Sequence, residues 1–287
     1  MFMPNMNIYL PRRRFLTLIG TGILGILGYS TAFEPKNLKI TKIKLNFKSL
    51  PTKLDGLVIA HITDLHFGST LCSEIYKKVL EVVKKENSDI IAVTGDIISK
   101  RSVVDKAKEF FNQLPDKPIF IVWGNWDHWS MNKEIKKFKE SLENKKTRVL
   151  VNDYYELEEN FFICGVDDPH TSRDNINNAV RKTGFKILLA HSPEIMGKAE
   201  NRVELVLAGH THGGQVVIPF IGAPFVPVTK KYRRYASGIF KVGKTILFVS
   251  RGIGTSIFPV RMNCPPEIAF IELRKNKIKV LQKPLLN

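Results

Sequence analysis

Five short apolar runs in this chain each end in a side chain that can ligate a metal ion, and this pattern constrains the fold more than any other feature. Val-, Ile- and Leu-rich runs of this length, bounded by glycine or proline, predict buried strands. Loops that leave the same ends of neighbouring strands converge on one edge of an α/β sheet. The runs are residues 58–66 (VIAHITDLH), 90–96 (IIAVTGD), 119–128 (IFIVWGNWDH), 187–193 (ILLAHSP) and 205–212 (LVLAGHTH).

The polar side chains at the ends of these runs are therefore expected to meet in space. They form a mixed oxygen and nitrogen set: Asp64, His66, Asp96, Asn125, His191, His210 and His212. Such a set is large enough to hold two metal ions. Carboxylate, amide and imidazole ligands suit manganese, iron or zinc and select none of the three.

The order of the motifs resembles that of one enzyme family. D-x-H stands at residues 64–66, G-D at 95–96, G-N at 124–125, a lone histidine at 191 and G-H-x-H at 209–212. This succession is typical of the calcineurin-like metallophosphoesterases, and the segments 165–169, 251–255 and 259–267 resemble the envelope branch of that family. The resemblance implies an α/β fold, a four-layer α-β-β-α sandwich of two mixed sheets.

The resemblance also implies a role for each ligand and two divalent metal ions as cofactors. One ion would be held by Asp64, His66, Asp96 and His212. The other would be held by Asp96, Asn125, His191 and His210. Asp96 would bridge the pair, and a hydroxide activated by the metals would hydrolyse a P–O bond of a phosphate ester.

The third motif departs from the common family pattern. Gly-Asn is usually followed by a histidine that contacts the substrate and protonates the leaving group, but this chain has Trp126 there. His128, two residues further on, is the predicted substitute; the alternatives are a leaving group that needs no acid and protonation by a metal-bound water. The candidate catalytic residues are Asp96, Asn125 and His128. Arg251 and Arg261 are the candidate substrate-binding residues, because a guanidinium can hold a phosphate through two hydrogen bonds.

The N-terminal residues 1–33 are predicted to be a twin-arginine-type signal peptide or a membrane anchor. Arg12-Arg13-Arg14 precedes an apolar stretch with four glycines, and Ser30-Thr31-Ala32 could serve as a small-residue cleavage site. Whether the segment is cleaved stays open. Residues 34–287 are then predicted to form one metallophosphoesterase domain.

The chain is strongly basic, with a formal net charge of +17. Such a positive charge favours anionic surroundings, so we expect association with a membrane surface or with cell-wall polymers. The expected substrate is a phosphate ester, with a lipid-linked one among the options. No basic run is interleaved with aromatic residues, and nucleic acid is not predicted as a partner. The three cysteines have no C-x-x-C spacing and predict neither a disulfide framework nor a thiolate zinc site. The oligomeric state stays open.

Periodicity predicts the remaining elements. Amphipathic helices are expected at residues 71–87, 103–114 and 133–142, between the first strands. A half-exposed strand is expected at 40–47. The second half is expected to be richer in strands and to end in a mostly antiparallel tail, with strands at 215–218, 235–242, 245–249, 268–273 and 278–281.

The favoured function is a binuclear metal-dependent phosphohydrolase at the cell envelope, exported or anchored through its N-terminus. One alternative is a UDP-2,3-diacylglucosamine pyrophosphatase of lipid A biosynthesis, which would place the domain on the cytoplasmic face of the membrane. An alternative of another class is a metal-binding envelope protein without catalysis. The absence of a histidine directly after Asn125 is the sequence feature that favours this last reading.

Overall fold

Alternating strands and helices make up most of the protein, whose computed structural model describes residues 11–68 and 73–275. The strands within these ranges are β1 Lys39–Asn46, β2 Val58–Ile62, β3 Ile90–Thr94, β4 Ile119–Val122, β5 Thr147–Val149, β6 Asp153–Glu158, β7 Phe161–Gly165, β8 Phe185–Leu189, β9 Leu205–Ala208, β10 Gly238–Val242, β11 Thr245–Val249 and β12 Glu267–Arg274. The α-helices within them are α1 Arg12–Gly28, α2 Ser73–Lys85, α3 Val104–Gln113, α4 Asn125–Met131, α5 Ile135–Leu142, α6 Ile176–Ala179 and α7 Met196–Ala199.

The strands form two six-stranded sheets, both mixed. The first has the order β1-β12-β2-β3-β4-β5, and only its β12–β2 pair is antiparallel among the described strands. The second has the order β10-β11-β9-β8-β7-β6. Two packed sheets with helices outside them confirm the predicted α-β-β-α sandwich.

The helices of the first half cover the outer face of the first sheet. Helix α2 turns Ile75, Val79 and Val83 towards it, and α5 turns Phe138 and Leu142 the same way. These positions are three to four residues apart, which places them on one helical face. The three predicted helices are therefore confirmed, with α2 described from Ser73 onwards.

A second apolar core lies between the two sheets. Phe47 from the β1 end packs edge-on against Phe185 of β8, with ring centroids 5.2 Å apart. Strands β3 and β8 are apolar on both faces, because one face meets the partner sheet and the other meets a helix layer. Burial of both strand faces therefore explains the continuous apolar runs of the sequence.

The second half differs from the prediction in two respects. After residue 215, β10 pairs antiparallel with β11 and β12 with β2, but β11 pairs in parallel with β9 and β12 with β1. The expectation of a mostly antiparallel tail thus holds for only half of these pairings. Residues 215–218 do not form a strand. They make isolated bridges from Val216 to Met262 and from Ile218 to Gly222. The strand predicted at 278–281 lies outside the described residues.

Helix α1 stands apart from the sandwich. The continuous helical stretch Arg12–Lys36 is long and apolar enough to cross a membrane, judged by length and composition. The large apolar side chains from Leu16 to Leu27 are exposed, including Leu24 at 70%. A helix of this kind near the N-terminus could be an anchor or a signal.

Candidate metal centre

The polar side chains that follow five strands meet at one edge of the sandwich. Asp64 and Asp96 follow β2 and β3, and His191 and His210 follow β8 and β9. The loops of the two sheets meet here, because His210 donates its backbone N–H to the Asp64 carboxylate at 3.0 Å and His191 Nδ1 lies 2.7 Å from the carbonyl of Thr94. The predicted convergence of these residues is confirmed.

Asp64, His66 and His212 form the first of two buried groups. One ligand atom from each lies within 4.8 Å of the others. His212 Nε2 is 3.2 Å from Asp64 Oδ1 and 3.0 Å from His66 Nε2. This group could hold one metal ion.

Asp96, His191 and His210 form the second group, whose ligand atoms also lie within 4.8 Å of one another. His191 Nε2 is 3.1 Å from Asp96 Oδ2 and 3.1 Å from His210 Nδ1. The same Asp96 oxygen lies 3.5 Å from His66 Nε2 of the first group. Asp96 therefore stands between the two groups, as a bridging carboxylate must.

Backbone carbonyls fix the histidine tautomers of the second group. His191 Nδ1 lies 2.7 Å from the carbonyl of Thr94, and His210 Nε2 lies 2.8 Å from the carbonyl of Pro227. A carbonyl accepts only, so each of these nitrogens carries the proton and leaves the other ring nitrogen with a lone pair. Two lone pairs then face each other beside a carboxylate, an arrangement that a cation stabilises.

Asn125 supplies a second sign that the ligand set suits a cation. Its side chain is buried, and its Oδ1 has no hydrogen-bond partner among the described residues. An unsatisfied buried oxygen is rare because it costs about 1–3 kcal/mol. The next residue, Trp126, donates its N–H to Asp96 Oδ1 at 2.9 Å, so Asn125 lies beside the second group.

The charges of the side chains lead to the same conclusion. Burial lowers the pKa of His66 to about 4, because its effect is larger than the opposite effect of the Asp96 carboxylate. Burial and the charge of His191 lower the pKa of His210 to about 3. Burial alone would lower the pKa of His191 too, but Asp96 and Asp64 raise it to about 10. The two buried carboxylates thus favour positive charge at His191, and divalent cations bound there would supply that charge.

The backbone at the ligands is itself unusual. Positive φ is uncommon for residues other than glycine and costs about 1–3 kcal/mol. Five of the seven predicted ligands have it: Asp64 (53°), His66 (48°), Asp96 (50°), His210 (69°) and His212 (51°). These turns direct the side chains of successive strands towards one point.

Two glycines allow the close approach of the loops to the carboxylates. A Cβ at Gly124 would overlap the Asp96 carboxylate, and one at Gly209 would overlap the side chains of Thr63 and Asp64. The glycines of the G-N and G-H-x-H motifs are thus required by packing against the ligands rather than by their own dihedral angles.

Asp127 ties the β3 and β4 loops together. Its Oδ1 accepts the N–H groups of Ile97 and Ile98 at 2.9 and 3.1 Å, and its Oδ2 accepts that of Gly124 at 3.0 Å. Burial and the nearby Asp96 carboxylate raise its pKa to about 8, although the Gly124 and Ile98 N–H groups lower it. This positioning residue was missed from the sequence, where the acid after Trp126 is the only signal for it.

His128 is buried and paired with a carboxylate, because its Nε2 lies 2.6 Å from Asp167 Oδ1. Trp126 packs edge-on against His66, with ring centroids 5.7 Å apart, and against Trp129 at 5.6 Å. Trp126 therefore forms a wall of the first ligand group. The role of His128 as proton donor remains a prediction.

His170 borders the centre and was also missed from the sequence. Its ring centroid is 4.5 Å from that of His210, and its Nδ1 is 3.4 Å from Glu194 Oε2. The hydrogen bond to Glu194 raises the pKa of His170. In the sequence, His170 directly follows the segment 165–169, and the resemblance of that segment to the envelope branch was the one signal that pointed to this residue.

The two predicted substrate arginines hold structure near the centre. Arg251 pairs with Glu267 at 3.1 Å. Arg261 is fully buried and donates to the carbonyls of Cys264 and Arg251, each at 2.9 Å, and also to those of Gly252 and Gly254. These contacts stabilise the loops around the two arginines. Their role in substrate binding remains a prediction.

Two ligand groups joined by one aspartate, at the shared edge of two sheets, define a candidate binuclear metal centre. Residues 57–214, more than half of the chain, match the model of the calcineurin-like phosphoesterases, and the chain belongs to that family. Its placement in the envelope branch remains a prediction.

Similar proteins occur in bacteria and in an animal. The uncharacterized metallophosphoesterase YkuE of Bacillus subtilis is 28% identical over 282 residues, 92% of this chain and 97% of the relative. Phosphodiesterase YaeI of Escherichia coli is 28% identical over 276 residues, 91% and 98% of the two chains. A Danio rerio protein called transmembrane protein with metallophosphoesterase domain is 26% identical over 290 residues, 92% of this chain and 63% of that one.

Proposed function

We propose that this chain is a binuclear metal-dependent phosphohydrolase that cleaves a phosphodiester at the cell envelope. The observation that carries the proposal is the pair of buried ligand groups with Asp96 Oδ2 between them, 3.1 Å from His191 and 3.5 Å from His66. The name of the similar phosphodiesterase of Escherichia coli agrees with this substrate class.

The protein contributes a set of buried carboxylate, amide and imidazole ligand atoms held in place by the surrounding loops. We assign one cation to Asp64, His66, Asp96 and His212, and the other to Asp96, Asn125, His191 and His210. Two divalent ions bound there would neutralise phosphate oxygens and supply a water of lowered pKa. Carbonyls hold the protons of His191 and His210 on the far ring nitrogens, so the near nitrogens stay free as ligands.

The leaving alcohol needs a proton unless it is already a weak base. We propose His128 as the donor, since the usual position is occupied by Trp126. Because Nε2 is hydrogen-bonded to Asp167, the proton for the leaving oxygen would come from Nδ1. The His128→Gln variant should lose more activity on an alkyl phosphodiester than on a nitrophenyl one, whose leaving group needs no acid. An equal loss on both would remove His128 from this role.

The main test uses purified full-length protein, stripped with a chelator and reloaded with manganese, iron or zinc. We expect two metals per chain and turnover of bis(p-nitrophenyl) phosphate, with p-nitrophenyl phosphate as the monoester comparison. Asp96→Asn should lower turnover by about a thousandfold or more, since a ligand shared by both ions is lost. Asp105→Asn is the matched control, because the Asp105 side chain is 97% exposed.

The outcome separates the alternatives that the sequence leaves open. Two bound metals without turnover on any phosphoester would favour the metal-binding protein without catalysis. Turnover unaffected by Asp96→Asn would refute the proposed mechanism.

We further propose that α1 anchors the enzyme or exports it by the twin-arginine route. Its length and apolar composition support this, as does the name of the Danio rerio relative. Fractionation of cells that express the full chain, followed by protease treatment of intact spheroplasts, would locate the domain. Protection of the domain from external protease would favour the cytoplasmic pyrophosphatase alternative.

A further inference from the structure

Large apolar side chains are exposed on two loops of the sandwich. Beyond the helical stretch that ends at Lys36, only Ile40 and Trp129 among the other described residues share this property. The side chains on the two loops are each at least 67% exposed, and we call them the apolar rim: Phe220, Ile221, Phe225, Ile257 and Phe258. Exposed apolar side chains that cluster in this way mark an interaction surface.

Both loops of the apolar rim start at the metal centre. The first leaves directly after His212 and returns at Pro227, whose carbonyl lies 2.8 Å from His210 Nε2. The second follows Gly254, which donates its N–H to the carbonyl of Asp64 at 2.7 Å. The apolar rim therefore borders the candidate metal centre.

One side chain ties the two loops to each other. Gln215 donates from Nε2 to the carbonyl of Phe258 at 3.1 Å and accepts the N–H of Ser256 at 2.6 Å. A backbone bond from Val217 to the carbonyl of Met262, at 2.8 Å, adds to this. The two loops thus form one surface rather than two independent ones.

The end of the N-terminal helical stretch is bound to the same surface. Arg261 donates its N–H to the carbonyl of Ser30 at 2.9 Å, and Cys264 donates its N–H to Glu34 Oε1 at 2.5 Å. Arg261 is only three residues from Phe258. If α1 lies in a bilayer, the apolar rim is held next to the point where the chain leaves it.

The charge beside the apolar rim selects the kind of partner. Lys230, Lys231, Arg233 and Arg234 follow the first loop, and all four are exposed. Basic residues next to exposed aromatic and aliphatic side chains suit an anionic lipid surface, where each basic residue adds attraction and the apolar side chains enter the interface. The net charge of +17 has the same sign.

We propose that the apolar rim inserts into the interfacial layer of an anionic bilayer and brings the metal centre to a phosphodiester carried by a membrane lipid. This inference rests on the proposed function for its chemistry. The oxygen of a water bonds to phosphorus, the P–O bond to one alcohol breaks, and the leaving oxygen takes up a proton. No further reactant is needed.

The first test measures where the apolar rim lies. The full chain is reconstituted into phosphatidylethanolamine–phosphatidylglycerol vesicles with an environment-sensitive dye on Phe220→Cys or Phe258→Cys, in a Cys72→Ser background. The described cysteines, Cys164 and Cys264, are buried and should not react. Lys145→Cys is the matched control, because Lys145 is exposed and precedes β5, at the sheet edge opposite the metal centre.

Nitroxide-bearing lipids should quench the dye at the two apolar-rim positions at least about twofold more than at the control, since only the apolar rim reaches the acyl boundary. Equal, weak quenching at all three positions overturns the proposal. So does a dye shift at the apolar rim that depends on protein concentration without lipid, which would mark contact with a second copy of the chain.

The second test separates lipid docking from catalysis. The double variant Phe220→Ser/Phe258→Ser should turn over a phosphodiester lipid in vesicles about tenfold more slowly, because two aromatic contacts with the interface are lost. It should hydrolyse soluble bis(p-nitrophenyl) phosphate as fast as the original chain. An unchanged rate on the vesicle substrate overturns the lipid assignment. Quenched dyes with no turnover of either substrate would instead refute the proposed function and leave membrane docking intact.

Discussion

Replacing Asp127 by alanine tests whether one buried carboxylate assembles the metal centre. The side chain is fully buried and holds three backbone N–H groups, those of Ile97, Ile98 and Gly124. Ile97 directly follows the ligand Asp96, and Gly124 directly precedes the ligand Asn125. The substitution therefore frees the two loops that must stay in register for both ligands to reach one site.

The expected loss of stability follows from these three bonds. Each buried N–H left without an acceptor costs about 1–3 kcal/mol, so three would cost roughly 3–9 kcal/mol. A water in the vacated space can satisfy part of this demand, and we expect a loss of about 3–5 kcal/mol. Asp127→Asn keeps one acceptor oxygen and can still hold Ile97 and Ile98, so its loss should be about 1–3 kcal/mol.

The assay is urea unfolding of the metal-stripped full chain in detergent, followed by tryptophan fluorescence. Asp116→Ala is the control, because Asp116 is exposed and precedes β4, and its unfolding free energy should change by less than about 0.5 kcal/mol. The affinity of the Asp127→Ala variant for manganese should fall by about tenfold or more, because both loops move. An unfolding free energy within about 0.5 kcal/mol of the original chain would refute the reasoning. So would a destabilised variant whose manganese affinity is unchanged.

Three further outcomes follow from the structure. The pKa of Asp127 is raised from its ordinary 3.8 to about 8. At a pH between these two values, Asp127 is protonated in the metal-stripped folded chain and ionised in the unfolded chain. The contribution of Asp127 to the unfolding free energy in urea should therefore fall as pH rises from about 4 to about 8. It is measured as the difference in unfolding free energy between the original chain and Asp127→Asn at each pH, which should change in that direction. Gly209→Ala should displace the Asp64 carboxylate and weaken metal binding measured by titration calorimetry, whereas Gly25→Ala, with open space around it, should not. Arg261→Met removes a charged donor from several buried carbonyls and should lower the thermal midpoint by an amount equivalent to about 2–4 kcal/mol, measured by scanning calorimetry.

The sequence predicts the strands that carry the ligands well, for a physical reason. Strands such as β3 and β8 are covered on both faces, so all their positions except Thr94 and Lys186 are apolar, and the runs stand out from the amphipathic helices around them. The polar residue that ends each run is conspicuous for the same reason. The gathering of Asp64, Asp96, His191 and their partners could therefore be predicted without a structure.

The irregular parts could not be predicted in this way. Residues 215–218 have a strand-like composition, but Gly213 and Gly214 before them and Gln215 at their start all have positive φ, which is incompatible with a regular strand. His170 reaches the centre through a loop between β7 and β8, and nothing in its sequence neighbourhood encodes its distance to His210. Such placements depend on tertiary packing rather than on local pattern.

The left-handed backbone at five ligand positions has a consequence for the evolution of this chain. Glycine would adopt these conformations without strain, but it offers no side chain to a cation. Selection for heat resistance alone, in a library scored without regard to activity, should therefore enrich glycine at such positions as Asp96 and His212. A selection for stability alone would therefore replace the metal ligands that have left-handed backbone before other residues.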